Sequence, residues 1–262
     1  MVGIAMDRSV SRRGLVLSAG IVWGAAGPVW RVAGQEAMTP EGLIEMVGKR
    51  YREMEGVELE ATVRTEVGLS DSTTKVRLGV RPGVRGNVIV YEAEVAALGG
   101  RMVQWTDGAR LRTYESKGRK YFDGPAEGTA RRSMADGLEK VAERYWRRFG
   151  KLTGEWATGK VVKEGEVKLG KEKVACWRVE VRAAEVVARD MQHRGQAMEE
   201  LWVEKRSGIV LRSVMIWPGA GMVVRKQTDW GYVKPGAAPE EAVAFGRPAG
   251  AVDVSEPVML GK

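Results

Sequence analysis

Cysteine and histidine are nearly absent from this 262-residue chain: Cys176 and His193 stand alone. One cysteine excludes an intrachain disulfide. With one residue of each type, a zinc site of the usual ligand set is excluded as well. Cys176 lies between Ala175 and Trp177 in an alternating apolar run and reads as a buried, inert thiol. His193 sits between Gln192 and Arg194 in a polar stretch and reads as solvated. No Gly-x-Ser-x-Gly elbow offers it a nucleophile, and glycine-rich phosphate loops are missing too. Glu199 and Glu200 are adjacent, so on a strand they point to opposite faces and make a poor acid–base pair. Catalytic residues, metal ligands and cofactor motifs are therefore all wanting, and nothing points to an enzyme.

Long apolar runs are scarce as well. The only one is N-terminal, from Leu15 to Trp30, interrupted by Gly20, Gly24, Gly27 and Pro28. Arg8, Arg12 and Arg13 precede it, and the small residues Val32-Ala33-Gly34 follow. That is the pattern of a secretory signal peptide over residues 1–34. Ser11-Arg12-Arg13-Gly14-Leu15-Val16-Leu17 also fits a twin-arginine export signal. An uncleaved anchor is the other reading, but the run is short of the roughly 20 residues that a span needs. The expectation is a soluble exported domain over 35–262, located in the periplasm.

Charge of one sign does not dominate. Lys and Arg number 42 against 34 Asp and Glu, for a net +8, and the two signs alternate along the chain. Such mixing marks solvated faces. A nucleic-acid platform needs basic residues gathered on one face, so the basic-aromatic stretch Gln104–Gly124 reads instead as a meander with tight turns.

What the sequence does hold is period-2 alternation. In Val57–Val67, Val57, Leu59, Ala61 and Val63 alternate with Glu58, Glu60, Thr62 and Arg64, as in a half-buried antiparallel strand. Similar runs cover 74–80, 88–95, 102–106, 159–169, 174–182, 201–203, 209–217 and 222–232. Asp107-Gly108 and Lys117-Gly118 mark hairpin turns. Two stretches have helical spacing instead. Thr39-Pro40 caps a helix carrying Leu43, Met46, Val47, Tyr51 and Met54. A second covers Arg131 to Phe149, with Met134, Leu138, Val141, Ala142, Tyr145 and Trp146 on one face and many basic residues elsewhere. It either packs on the sheet, covers a lipid-sized cavity or touches an anionic membrane face. The segment 183–196 is ambiguous, and the tail from Pro235 is expected to wrap the surface. The fold class is α+β, mainly β, with roughly ten strands in one curved antiparallel sheet.

The apolar inventory is unusual: 9 Trp and 12 Met against 3 Phe. Methionine and tryptophan suit walls that accept varied apolar shapes. Candidate lining residues for an apolar cavity are Val63, Trp105, Tyr114, Met134, Leu138, Trp146, Trp177, Trp202 and Trp217.

The order of motifs resembles the outer-membrane lipoprotein carrier and receptor superfamily, the LolA/LolB-like sorting proteins. The residues concerned are Arg81-Pro82-Gly83, Asp107-Gly108 with Tyr114, Tyr121, Leu201-Trp202-Val203-Glu204-Lys205 with Ser207-Gly208, and Phe245 followed by Arg247-Pro248. The resemblance spans about Leu43 to Ala251. It implies an unclosed half-barrel with helices over its concave face, which binds acyl chains of lipids or lipoproteins without reaction or cofactor. It also implies a cargo-hooking arginine, with Arg64 or Arg77 as candidates, and envelope membrane proteins as partners. The same resemblance admits a regulatory or protein-interaction module of this fold with no lipid cargo.

Overall fold

The computed structural model describes residues 38–96, 99–152, 156–157, 162–183, 198–219 and 222–258. Residues 1–34, expected to be a signal peptide, His193 and the ambiguous stretch 184–196 lie outside them. Ala37–Lys262 forms one compact unit.

Thr39 opens α1 (Pro40–Arg52), its hydroxyl accepting the Gly42 N–H at 3.1 Å. Pro40 occupies the first helical position, where a missing N–H removes no bond. Six strands follow as a meander: β1 (Val57–Val67), β2 (Ser70–Gly83), β3 (Gly86–Val95), β4 (Gly100–Thr106), β5 (Arg110–Glu115) and β6 (Lys120–Pro125). Then come α2 (Thr129–Tyr145), a 3-10 turn (Arg147–Lys151), β7 (Trp156–Ala157), β8 (Val162–Leu169) and β9 (Glu172–Ala183). The chain continues through β10 (Met198–Glu204), β11 (Val210–Gly219), β12 (Met222–Pro235), α3 (Glu240–Val243) and β13 (Val252–Asp253).

The strands form one sheet in the order β13-β6-β5-β4-β3-β2-β1-β12-β11-β10-β9-β7, with β8 paired to β9 off this path. Every pairing is antiparallel except β13 on β6. The path does not return on itself, so the barrel is unclosed. Among the described residues the sheet has thirteen strands, against roughly ten expected. β7 and β13 hold two residues each, too few to show any period.

Strand alternation sorts side chains onto two faces. On the concave face, Val57, Leu59, Ala61 and Val63 of β1 and Val76, Leu78 and Val80 of β2 are buried against Leu43, Val47 and Tyr51 of α1. Leu138 and Ala142 of α2 join the same cluster. The single helix expected over 131–149 is broken at Trp146, whose backbone (φ −135°, ψ −67°) is not helical. The break seats Phe149 between Tyr51 and Trp230, with ring centroids 5.0 and 5.4 Å away. The Tyr51 hydroxyl accepts the Val210 N–H at 3.1 Å, which ties α1 to β11.

The convex face has a smaller cluster of its own: Val90, Val103 and Trp105 under Ala238, Ala242 and Val243 of the tail. The Trp105 indole N–H donates to the Val243 carbonyl at 2.8 Å, and Arg112 donates to the Phe245 carbonyl at 2.9 Å. The tail then runs beside the edge strand β6. It reaches Thr113, whose hydroxyl accepts the Val258 N–H at 3.1 Å. The tail wraps the surface as expected, and it also covers part of the sheet's convex face and its β6 edge.

Candidate functional site

The concave face under α2 is the place where the fold brings apolar wall, cover and charge together. Register defines its rows. Leu201, Ser213, Thr228 and Val63 lie opposite one another across β10, β11, β12 and β1. The adjacent row is Glu199, Met215, Lys226 and Thr65, and beyond it lie Trp217, Val224 and Val67. The first row and the Trp230 position behind it are buried; the Trp217 row is half-buried.

The middle row carries charge. Glu199 is fully buried and accepts two bonds from Arg148, at 2.8 and 2.9 Å. An Arg148 Nη also lies 3.4 Å from the Ser213 hydroxyl, while its Nε is buried without a partner. Glu200 points to the other face, where it bonds Arg178 and the Trp202 indole N–H. Lys226 is half-buried in the same row as Glu199. Burial pushes its ammonium down to about 8, with Arg144 and Arg148 adding to the fall and Glu199 opposing it.

This lowering has a measurable consequence. A lysine whose folded value lies below its unfolded one gives up its proton first in the folded state. Its charge therefore weakens the fold below about pH 8, and stability recovers as pH rises from about 8 toward 10.5. Lys226→Met is expected to remove that rise and to stabilise the protein at pH 7 by roughly 3 kcal/mol. Urea unfolding of both proteins at pH 7 and pH 10 measures the difference. Parallel pH slopes would mean that Lys226 titrates as in water.

Of the candidate lining residues, Val63, Leu138 and Trp146 are buried in the concave core, and Met134 packs against it. Trp177 sits half-buried beside that core with the Lys205 ammonium 4.1 Å from its ring centroid. Trp217 occupies the outer concave row. Trp105 and Tyr114 belong instead to the convex cluster under the tail. Trp202 also faces outward, against Gly165, with Arg178 and Arg212 over its ring. These three do not line the concave interior, because the two-residue period sends them to the opposite face from their buried neighbours Met102, Leu111 and Leu201. Arg64 and Arg77 share that outward register: Arg64 is exposed, and Arg77 pairs with Glu58 at 3.6 Å.

Sequence reasoning weighed Glu199 only as half of an acid–base pair and passed over Arg148 and Lys226. A signal was present. Arg148 continues the apolar spacing of Val141 and Tyr145, Glu199 keeps step with Leu201, and Lys226 keeps step with Thr228 and Trp230. Each is a charge in an inward position.

Under the N-terminal half of α2 lies an open groove of about 1230 Å³, bounded by the turns at 82–87 and 107–109 and by Arg132, Ala135, Asp136 and Glu139. Its walls mix both signs of charge. Beside it, Leu59, Val76 and Leu78 of the sheet are buried against α1 and α2. Among the described residues no group of His, Cys, Asp and Glu could hold a metal, and no helix is long and apolar enough to cross a membrane. Cys176 is buried, and burial raises its thiol to about 11, which keeps it protonated at neutral pH.

Neither a family model nor a curated protein matches the chain. Solved structures resemble it. LprF from Mycobacterium bovis is similar over 82% of this chain and 100% of its own, at 14% identity and a TM-score of 0.43. MucB in the Pseudomonas aeruginosa MucA/MucB complex is similar over 79% of this chain, at 17% identity and a TM-score of 0.37. This chain covers 61% of that one. A LolA superfamily protein from Nitrosomonas europaea is similar over 80% of this chain and 99% of its own, at 10% identity and a TM-score of 0.29.

Proposed function

We propose that the chain is an exported, non-enzymatic carrier for a lipid moiety, which takes up an acyl chain between the concave sheet and α2. One observation carries the reading: an unclosed sheet keeps its apolar wall under a helix that is weakly built at one end. α2 starts at Gly128 with no side-chain cap and no acidic residue in its first turn. Arg131 and Arg132 near that end oppose the helix dipole. Polar clips hold the cover: Asn87 donates to Glu139 at 3.0 Å, and Arg131 donates to the Ser255 carbonyl and to Glu256 at 3.1 and 3.0 Å. The groove beside these clips marks where the cover lifts. An acyl chain then replaces side-chain contacts along the wall, gaining about 0.8 kcal/mol per buried methylene. The finer reading is lipoprotein sorting toward the outer membrane, in the periplasm, with envelope membrane proteins as donor and acceptor.

The test is direct. Native protein is extracted with organic solvent for lipid analysis, and purified protein is titrated with a fluorescent fatty acid. Bound lipid, or saturable probe binding displaced by unlabelled fatty acid, is expected. Absence of both ends the lipid reading.

One observation favours a second reading, an interaction module without lipid. Among the described residues β13 pairs with β6 as a strand at Lys120 and Tyr121 and not beyond them, so the rest of the β6 ladder offers main-chain groups to a partner strand. A stoichiometric protein partner recovered with lipid-free chain supports that reading.

A further inference from the structure

The charged row of the concave wall has more positive than negative charge. Arg148 is matched by Glu199. Among the described residues, Lys226 and Arg144 have no carboxylate partner, though both lie close enough to act on each other and on neighbouring groups. Ser213 and Thr228, directly opposite each other and both buried, add hydroxyls beside them. Lys226 is two strands from Glu199, roughly 10 Å at ordinary strand spacing, within joint reach of long side chains. A half-buried ammonium without a counter-ion is costly to hold, and Met or Thr at that position would fill the row without the cost. Outward from this row lie Trp217, Val224 and Val67, an apolar strip; inward lies the apolar core. A cationic band beside an apolar strip matches an amphiphile that carries an anionic group.

Resting on the lipid reading above, we propose that Lys226, Arg144 and Arg148 form the binding site for the oxyanion of the cargo, a carboxylate or phosphate attached to an acyl chain. The anion bridges Lys226 and Arg144, and the buried Nε of Arg148 turns to it or holds the Glu199 carboxylate clear. The acyl chain lies outward of the anion, along Trp217, Val224 and Val67. Arg148 has a structural role as well, through Glu199, so it is left unchanged in the test.

Calorimetric titration of the purified chain at pH 7 compares dodecanoate, dodecanol, acetate and inorganic phosphate. Dodecanoate is expected to bind about tenfold or more tightly than dodecanol. Lys226→Met and Arg144→Met should each lose about tenfold for dodecanoate and leave dodecanol unchanged. In the wild type, dodecanoate binding should also weaken as pH rises through 8, while Lys226→Met shows no such change. Here dodecanoate stays ionised, and the groups facing Lys226 are Arg144, Arg148 and Glu199. Equal affinity for dodecanoate and dodecanol, or an unchanged Lys226→Met, overturns the anion site and leaves the lipid reading standing. Binding of neither amphiphile overturns both. Acetate or phosphate binding as tightly as dodecanoate overturns the amphiphile and assigns the site to a free anion.

Discussion

Arg148→Met is expected to lower unfolding stability by about 3–5 kcal/mol, because it strands Glu199 as a buried, unpaired carboxylate. Glu199 is fully buried, and the two bonds from Arg148 are the hydrogen bonds that its carboxylate makes among the described residues. Their formation in the fold offsets the cost of drying both groups; removing one leaves the cost on the other. The contrast that identifies this cause is the double variant Arg148→Met/Glu199→Leu. With both charges gone and the volume kept, most of the loss should return. Urea unfolding midpoints of the wild type, the single and the double variant measure it. A single variant within about 1 kcal/mol of wild type, in the range of exposed pairs, would show that the pair is not dry. A double variant weaker than the single would show that the pair does more than neutralise itself. The pair also pins the turn after α2 to β10, so the single variant loosens the C-terminal end of the cover.

Phe149→Ala should cost a similar amount, about 3–5 kcal/mol, for a different reason. Phe149 is fully buried and is the wedge between Tyr51 of α1 and Trp230 of β12. Truncation deletes ring contacts on both sides, and the two large neighbours limit how far the site can collapse. Phe149→Leu keeps most of the volume and should lose clearly less. Thermal and urea unfolding of the two variants give the ranking; equal losses would show that the loss comes from the aromatic geometry and not from the cavity. The vacated volume is apolar and lies on the concave wall. Phe149→Ala is therefore also a variant in which a fluorescent acyl probe should enter more readily, provided it is assayed where it remains folded.

Most strands were readable because one face of each is wet. β1 alternates buried Val57, Leu59, Ala61 and Val63 with polar neighbours, and its predicted bounds coincide with Val57–Val67. The turn at Asp107-Gly108 was readable from local chemistry. The Asp107 carboxylate accepts the N–H groups of Ala109 and Arg110 at 2.9 and 2.8 Å, and Gly108 has a positive φ of 85°. The break at Trp146 was hidden, because an apolar stripe that continues past residue 145 looks helical whether or not the backbone follows it. β7 and β13 were hidden by their length.

The local sequence thus settled which residues alternate and where the turns fall. Periodicity and turn chemistry act between neighbours a few residues apart, so they survive without the fold. It could not say which of two faces was the inner one. Trp105, Tyr114 and Trp202 went outward because the curvature of the whole sheet and the path of a distant tail define inside and outside. Nor could it announce the Arg148–Glu199 pair or the uncompensated Lys226. Those depend on strands β10 to β12 and the turn after α2 meeting across the concave face, where burial gives a charge its cost and its use.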